Sequence, residues 1–160
     1  MSADERNAES VWDYPRPPRV ESSTQLVEVV LGGVTVASTR EAVRVLETSH
    51  PPTYYLPRHA FVDGALRSAA GSSYCEFKGT AAYLDVVAGE VVASRAAWTY
   101  PHPTEGFERL RDHLALYPAA MDRCTVDGEV VRPQEGGFYG GWVTSAVVGP
   151  FKGGPGSAGW

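Results

Sequence analysis

The stretch LVEVVLGGVTVA, residues 26–37, decides the fold class of this chain. Two short runs rich in valine flank a pair of glycines, and a Gly-Gly pair permits the positive φ angles that a two-residue hairpin turn requires. A second hairpin is predicted over residues 81–98, and Asp127-Gly128 marks the turn of a third. With 17 Gly and 12 Pro residues, the composition also favours short elements joined by tight turns. We therefore predict a mainly β fold of antiparallel sheets.

One segment has the spacing of a helix. Pro103 and Thr104 suit a helix start, and acidic side chains follow in the first turns. Phe107, Leu110 and Leu114 then recur on one helical face. The pattern predicts one clear helix near residues 104–115.

Length and composition limit the domain organisation. The 160 residues suffice for one domain with a substantial core. Residues 1–10 are polar and acidic, which predicts a disordered N-terminus. Residues 11–160 are expected to form a single domain that includes an ordered C-terminal segment rich in glycine and aromatic residues.

Charge and hydropathy argue against several classes of protein. The net charge of −5 disfavours a general nucleic-acid binder, which needs a basic surface against phosphate. No apolar run is long enough to span a bilayer, and no secretory signal is visible. We therefore expect a cytoplasmic protein with reduced thiols and with neither a nucleic acid nor a membrane as partner.

A loop after a predicted strand collects groups that are useful in catalysis and binding. The segment ETSHPPTYY, residues 47–55, holds an acid, hydroxyl groups, an imidazole and two phenols. Loops on a rigid scaffold often carry the binding groups of a protein. We predict that Glu47 acts as an acid or base and that His50 and Tyr54 contact a ligand. The alternative is a structural loop, in which Glu47 pairs with an arginine and the hydroxyl groups cap a turn.

Cys75 and Lys78, in the segment CEFKG, form the second candidate group. Side chains three residues apart point to opposite faces of a regular strand, so both can serve one site only if the chain bends, and Gly79 follows directly. Cys75 is then a nucleophile or a neutral wall, since a neighbouring ammonium stabilises a thiolate, and Lys78 binds an anion. The alternative is an ordinary strand end with a buried Cys75 and a solvated Lys78.

The segment WTYPHP, residues 98–103, ends another predicted strand with two aromatic residues and a histidine between prolines. Aromatic faces bind flat or cationic ligands, and we predict ligand contacts for Trp98, Tyr100 and His102. The alternative is that these side chains only pack in the core and at a corner of the fold.

No metal or cofactor is expected. The four histidines lack the spacing of a zinc site, and two cysteines cannot supply a four-thiolate site. The sequence lacks the P-loop motif and the Gly-x-Ser-x-Gly elbow, which disfavours nucleotide binding by a P-loop and a standard α/β-hydrolase.

Seven motifs together resemble a small bacterial and fungal family catalogued as domain of unknown function 427. They are WDYPRPP (12–18), LETSHPPTYY (46–55), CEFKG (75–79), WTYP (98–101), VDGE (126–129), FYGGW (138–142) and GPFKG (149–153). The resemblance covers about residue 11 to the C-terminus. The family carries a nucleotidyltransferase-like label, but this chain lacks the Gly-Ser and paired-carboxylate signature of that chemistry.

The resemblance implies a β-tent fold, similar to methionine sulfoxide reductase B and the cereblon ligand-binding domain. Relatives of that fold often hold two sheets together with a zinc ion on four cysteines. This chain has only Cys75 and Cys124, so no structural zinc is expected.

Three functions follow from these residues. The first is a small-molecule pocket built from residues 47–55, 75–79 and 98–102, in which Glu47, Cys75 and Lys78 carry out catalysis. The second is a non-catalytic binding module whose aromatic residues form a cage. The third is thiol redox or sulfoxide repair through Cys75, with Cys124 as the resolving thiol.

Overall fold

The computed structural model describes residues 8–75, 77–135, 140–153 and 157. Within them the chain forms fifteen strands and four 3₁₀ helices. The strands are β1 (Glu9–Ser10), β2 (Arg19–Ser22), β3 (Val27–Leu31), β4 (Val34–Thr39), β5 (Val43–Leu46), β6 (Thr53–Pro57), β7 (Leu66–Cys75), β8 (Gly79–Ala88), β9 (Val91–Thr99), β10 (His113–Leu116), β11 (Arg123–Val126), β12 (Glu129–Val130), β13 (Arg132–Pro133), β14 (Trp142–Val143) and β15 (Val147–Val148). The 3₁₀ helices are Val11–Asp13, Arg58–Ala60, Glu108–Leu110 and Pro118–Ala120.

Two antiparallel sheets dominate the described residues. The larger has seven strands in the order β2-β5-β6-β10-β9-β8-β7, and the smaller has four in the order β12-β11-β3-β4. Two short pairs complete the pattern, β1 with β15 and β13 with β14. The predicted mainly β class with antiparallel sheets is confirmed.

The stretch at residues 26–37 forms the predicted hairpin between β3 and β4. Gly32 and Gly33 have φ angles of 58° and 76°, which is the left-handed backbone that a tight hairpin turn needs. The predicted hairpin over residues 81–98 is present as β8 and β9, and Asp127-Gly128 turns between β11 and β12 with φ angles of 49° and 83°. Local turn chemistry therefore placed three strand reversals correctly.

The helix predicted near residues 104–115 is wrong. The segment forms the 3₁₀ helix Glu108–Leu110 and then β10, which lies between β6 and β9 in the large sheet. Thr104 does not cap a helix, because its hydroxyl donates to the Phe77 carbonyl and its amide donates to the Lys78 carbonyl. The sheet has a place for a strand between β6 and β9, and pairing on both sides outweighs the weak local preference for helix.

The large sheet has two differently covered faces. One face packs against the four-stranded sheet, and we call this packing the inter-sheet core; the opposite face we call the cavity face. Strand alternation assigns the residues, so Tyr54 and Leu56 enter the inter-sheet core while Tyr55 between them lies on the cavity face. The buried apolar residues of the cavity face are Val43, Val45, Tyr55, Ala81, Trp98, Tyr100, Phe107, Leu110 and Ala115.

The segments near both termini pack together. Strand β1 pairs with β15 through Glu9 and Ser10, and residues 1–7 of the predicted N-terminal segment lie outside the described part. Val11 and Tyr14 pack with Leu46 and Val147 in a third cluster. Of the predicted C-terminal aromatic residues, Trp142 is fully buried, whereas Phe138, Tyr139 and Trp160 lie outside the described residues. Among the described residues, no helix has the length and apolarity needed to cross a membrane.

Candidate functional site

A cavity of about 350 Å³ opens on the cavity face of the large sheet. Its walls come from the β5–β6 loop, the β7–β8 turn, the strands between them and the C-terminal segment. The described lining residues are Val45, Glu47, His50, Pro51, Thr53, Tyr55, Ser73, Tyr74, Cys75, Lys78, Tyr83, Trp98, Tyr100, Tyr117, Gln134, Gly140 and Lys152.

Six of the eight predicted site residues line this one cavity. They are Glu47, His50, Cys75, Lys78, Trp98 and Tyr100. The other two are elsewhere. Tyr54 lies in the inter-sheet core, where its hydroxyl donates to Gln25 Oε1 at 3.1 Å and its ring lies 4.9 Å from that of Trp142. His102 is exposed and is not among the lining residues.

Cys75 and Lys78 reach the same cavity because Cys75 ends the strand before a hairpin turn and Lys78 lies in that turn. Strand β7 ends at Cys75, β8 begins at Gly79, and these two residues are paired in register. Side chains three residues apart point to opposite faces only when both belong to one continuous strand. Here the chain reverses direction between them. Both residues are partly exposed. The alternative prediction of a buried Cys75 and a fully solvated Lys78 therefore does not fit this segment.

Gly79 is required at this turn for two reasons. Its φ angle of 108° is a conformation that residues with a Cβ rarely adopt. A Cβ at this position would also lie 3.2 Å from the His102 carbonyl oxygen. The close approach brings the backbone after β9 against the turn, so that Tyr100 and Lys78 come together, with the ammonium 5.9 Å from the ring centroid.

Glu47 and His50 form an acid–imidazole pair on the cavity wall. The two groups belong to one turn, in which the His50 amide donates to the Glu47 carbonyl at 3.0 Å. Glu47 Oε2 lies 3.6 Å from His50 Nε2 and 3.9 Å from Arg16 Nε. Among the described residues, Glu47 Oε1 has no hydrogen-bond partner, which leaves that oxygen for a ligand.

Gln134 orients the His50 ring. The amide of Gln134 is itself oriented by two backbone groups, because Nε2 donates to the Lys152 carbonyl at 2.6 Å and Oε1 accepts from the Gly141 amide at 3.2 Å. Nε2 also lies 3.2 Å from His50 Nδ1, which must then be the acceptor. The neutral imidazole therefore carries its proton on Nε2, facing Glu47.

The surroundings of His50 disfavour its charged form. Burial is the largest cause of its lowered pKa, and Lys152, Arg16 and Lys78 lower it further while Glu47 opposes them. The site thus holds a neutral imidazole beside a carboxylate.

Aromatic rings form another part of the cavity wall. Trp98 lies 4.6 Å from Tyr117 between ring centroids and meets Tyr55 edge to face at 6.5 Å. The indole Nε1 donates to the Tyr55 hydroxyl at 3.3 Å. Burial raises the pKa of both Tyr55 and Tyr100, so both phenols stay protonated at neutral pH and serve as polar, uncharged groups.

Several lining residues were not among the predicted ones, and they include Tyr55, Tyr117, Gln134 and Lys152. Tyr55 lies in the predicted 47–55 segment, but the choice between it and Tyr54 depends on which face is buried. Gln134 sits in a polar stretch with no local signal. Lys152 is in the GPFKG motif, which supports the family resemblance but has no local feature that predicts a site residue.

A metal site has no support among the described residues. No three His, Cys, Asp or Glu side chains converge there closely enough to hold a metal ion.

Comparison with known proteins identifies a family but no activity. The family model described as "Domain of unknown function (DUF427)" matches residues 19–127, which is more than half of the chain. No curated protein matches the chain. The match includes Glu47, His50, Cys75, Lys78 and the aromatic wall, and it ends before Gln134 and Lys152.

Proposed function

The chain belongs to the DUF427 family, as its motifs predicted, and we propose that its cavity is a small-molecule site in which Glu47 accepts a proton from the substrate and His50 supports Glu47. The observation that carries the proposal is the Glu47–His50 pair, 3.6 Å apart on the wall of a cavity lined by aromatic rings. A positioned acid or base next to a bound substrate is the usual arrangement for proton transfer.

The roles of the two groups follow from their partners. Gln134 occupies His50 Nδ1, so the imidazole offers a proton only from Nε2. Glu47 Oε2 faces this proton and Arg16, while Oε1 is available to accept a proton from a substrate. Glu47 is therefore the base, and His50 holds and stabilises its carboxylate.

Cys75 is a second reactive group on the cavity wall. Its thiol is partly exposed, whereas Cys124 is 1% exposed in the inter-sheet core. A nucleophilic Cys75 should react with iodoacetamide near neutral pH faster than free cysteine does. Cys124 is the internal control, since burial raises its pKa to about 12. A rate below that of free cysteine would assign Cys75 to the neutral wall.

The binding-module alternative rests on the aromatic wall. Trp98, Tyr55, Tyr100 and Tyr117 would hold a ligand by contact alone, with no chemical step. The redox alternative has weaker support, because Cys124 belongs to the inter-sheet core while Cys75 packs on the cavity face.

A thermal-shift screen followed by recovery of each stabilising compound tests the proposal. A compound converted by the wild type and recovered unchanged from Glu47→Gln supports proton transfer, whereas binding without conversion supports the module. Glu41→Gln, an exposed acid outside the cavity, is the matched control. If stabilising compounds shift no NMR signal of Trp98 or His50, the cavity is not the site.

A further inference from the structure

The turn that carries Glu47 and His50 has an unusual backbone at its centre. The His50 amide donates to the Glu47 carbonyl at 3.0 Å, so Thr48 and Ser49 are the two central residues of a four-residue turn. Ser49 has a φ angle of 71°, in the left-handed region where a turn normally places glycine or asparagine. Other residues keep this conformation only where their surroundings hold it, and such residues cluster at functional sites.

Three hydrogen bonds from other segments hold Ser49, which is fully buried. Its amide donates to the Val11 carbonyl at 3.1 Å, and its carbonyl accepts from the Lys152 amide at 2.7 Å. Its hydroxyl accepts from Arg16 Nη2 at 3.4 Å. Segments that are far apart in sequence therefore fix the backbone of the turn at its strained residue.

The Arg16 side chain spans the turn. Besides the Ser49 hydroxyl, Nη2 contacts the Thr48 carbonyl at 3.3 Å, and Nε lies 3.9 Å from Glu47 Oε2. One guanidinium thus contacts three consecutive residues of the turn. Arginine suits this task because its donors form a rigid planar fork, whereas a lysine ammonium is a compact point charge.

The segment that carries Arg16 is itself anchored. We call residues 9–16 the N-terminal arm. Strand β1 of the arm pairs with β15, and Glu9 Oε1 lies 3.1 Å from Arg44 of the large sheet. Trp12 Nε1 donates to the Pro150 carbonyl at 2.8 Å. The arm is therefore fastened to the sheet and to the C-terminal segment, and it can serve as a fixed support for the turn.

We propose that Arg16 and Ser49 are positioning residues of the acid–imidazole pair. They hold the turn in the conformation in which Glu47 Oε2 faces His50 Nε2. Neither Arg16 nor Ser49 is among the described residues that line the cavity, so they act through the pair and not on a ligand. This inference rests on the proposed function, because the pair it concerns is the one that carries that function.

Variants of Arg16 test the fork. In the wild type, a nuclear Overhauser contact between the His50 ring and the Glu47 side chain, together with the ¹⁵N signal of His50 Nε2, reports the geometry of the pair. Arg16→Met should lose this contact and shift the Nε2 signal, while the protein stays folded because the side chain is 43% exposed. Arg16→Lys keeps the charge without the fork and should show the same loss. Arg19→Met, which removes another exposed arginine with one ion pair, should keep the wild-type signals.

Two substitutions of Ser49 test the backbone conformation. Ser49→Gly and Ser49→Ala both remove the hydroxyl, but only alanine is strained at a positive φ angle. The His50 amide, which closes the turn, should therefore exchange with solvent about tenfold faster in Ser49→Ala than in Ser49→Gly. Circular dichroism and the melting temperature show that each variant is folded.

Three results overturn parts of the inference. Wild-type signals of the pair in Arg16→Met would remove the positioning role of Arg16, and wild-type signals in Arg16→Lys would show that charge alone suffices. Equal exchange of the His50 amide in the two Ser49 variants would show that the left-handed residue is not what holds the turn. These measurements need no ligand, so the proposed function fails or stands separately, in the screen described above.

Discussion

The two faces of the seven-stranded sheet use neighbouring residues for opposite purposes. In the inter-sheet core, Leu56, Leu114 and Leu116 are fully buried among aliphatic side chains of both sheets. On the cavity face, Tyr55 and Trp98 are also buried, but they carry polar atoms that bond each other and border a cavity. Tyr55 and Leu56 are adjacent in one strand, so only the alternation of the strand separates packing from a binding surface.

The difference shows how a β protein places a site without losing its core. The inter-sheet core is closed on both sides and holds the sheets together through apolar burial. The cavity face is covered only in part, by Phe107 and Leu110 and by the C-terminal segment. Polar groups from the β5–β6 loop and from that segment then meet at the uncovered part.

The largest expected effect is on stability, from a substitution in the inter-sheet core. Leu56→Ala should lower the free energy of unfolding by about 2–5 kcal/mol, because it leaves a cavity in a closed core. Tyr55→Phe, one residue away, keeps the ring and loses the hydrogen bonds of the hydroxyl with Trp98 and Tyr100, so it should cost about 1–2 kcal/mol. Urea unfolding of both variants measures the contrast. A larger loss for Tyr55→Phe would mean that the two faces do not differ in this way.

A smaller effect is expected from pH, and it arises on the cavity face. The pKa of His50 is lowered in the folded protein, first by burial, so the unfolded chain binds more protons near the ordinary value of about 6.5. The contribution of His50 to stability is therefore complete above about pH 6.5 and is lost as the pH falls below it. Urea unfolding measured at steps of about half a pH unit between pH 5 and 8 should show this loss.

The histidine variants assign the pH effect. His50→Asn should flatten the pH dependence of stability in this range. His59→Asn makes the same change at an imidazole that is 73% exposed, and it should keep the wild-type slope. A wild-type slope in His50→Asn would show that other groups cause the acid sensitivity.

The finest effect is a change of tautomer. Long-range ¹⁵N–¹H NMR spectra of the wild type at slightly alkaline pH should show the His50 proton on Nε2, since Gln134 donates to Nδ1. Gln134→Leu removes the donor and should give a mixture of tautomers. Gln134→Glu offers an acceptor and should move the proton toward Nδ1. An Nδ1–H tautomer in the wild type would mean that Gln134 does not orient the ring.

Local patterns predicted the parts of the fold that depend on local chemistry. The glycine pair at residues 32–33 needs left-handed backbone, so its turn is readable from residue types alone. The spacing of Phe107, Leu110 and Leu114 misled because Leu114 packs in the inter-sheet core while Phe107 and Leu110 pack on the cavity face. Residues on one face of a helix pack against one surface, whereas these three residues pack against two different ones.

The candidate site was predictable by segment and less so by residue. Residues 47–55, 75–79 and 98–102 contribute six of the eight named side chains to one cavity. The sequence does not distinguish Tyr54 from Tyr55 as a lining residue, because alternation fixes the relative phase of the two side chains but not which face meets the second sheet. Gln134 and Lys152 come from far along the chain, and only the backbone bonds between Gln134, Gly141 and Lys152 bring them to His50.

The amino-acid sequence by itself determined the β class, the hairpin turns and the family, because these depend on residue types at short spacing. The tertiary structure decided which side of each strand is core and which is cavity, since burial depends on the partner that covers a face. It also decided that Cys75 ends a strand and Lys78 lies in the turn after it, so that the two residues do not share a strand. Above all, it placed the two lysines of an acidic chain on the wall of one cavity, a juxtaposition that no local pattern contains.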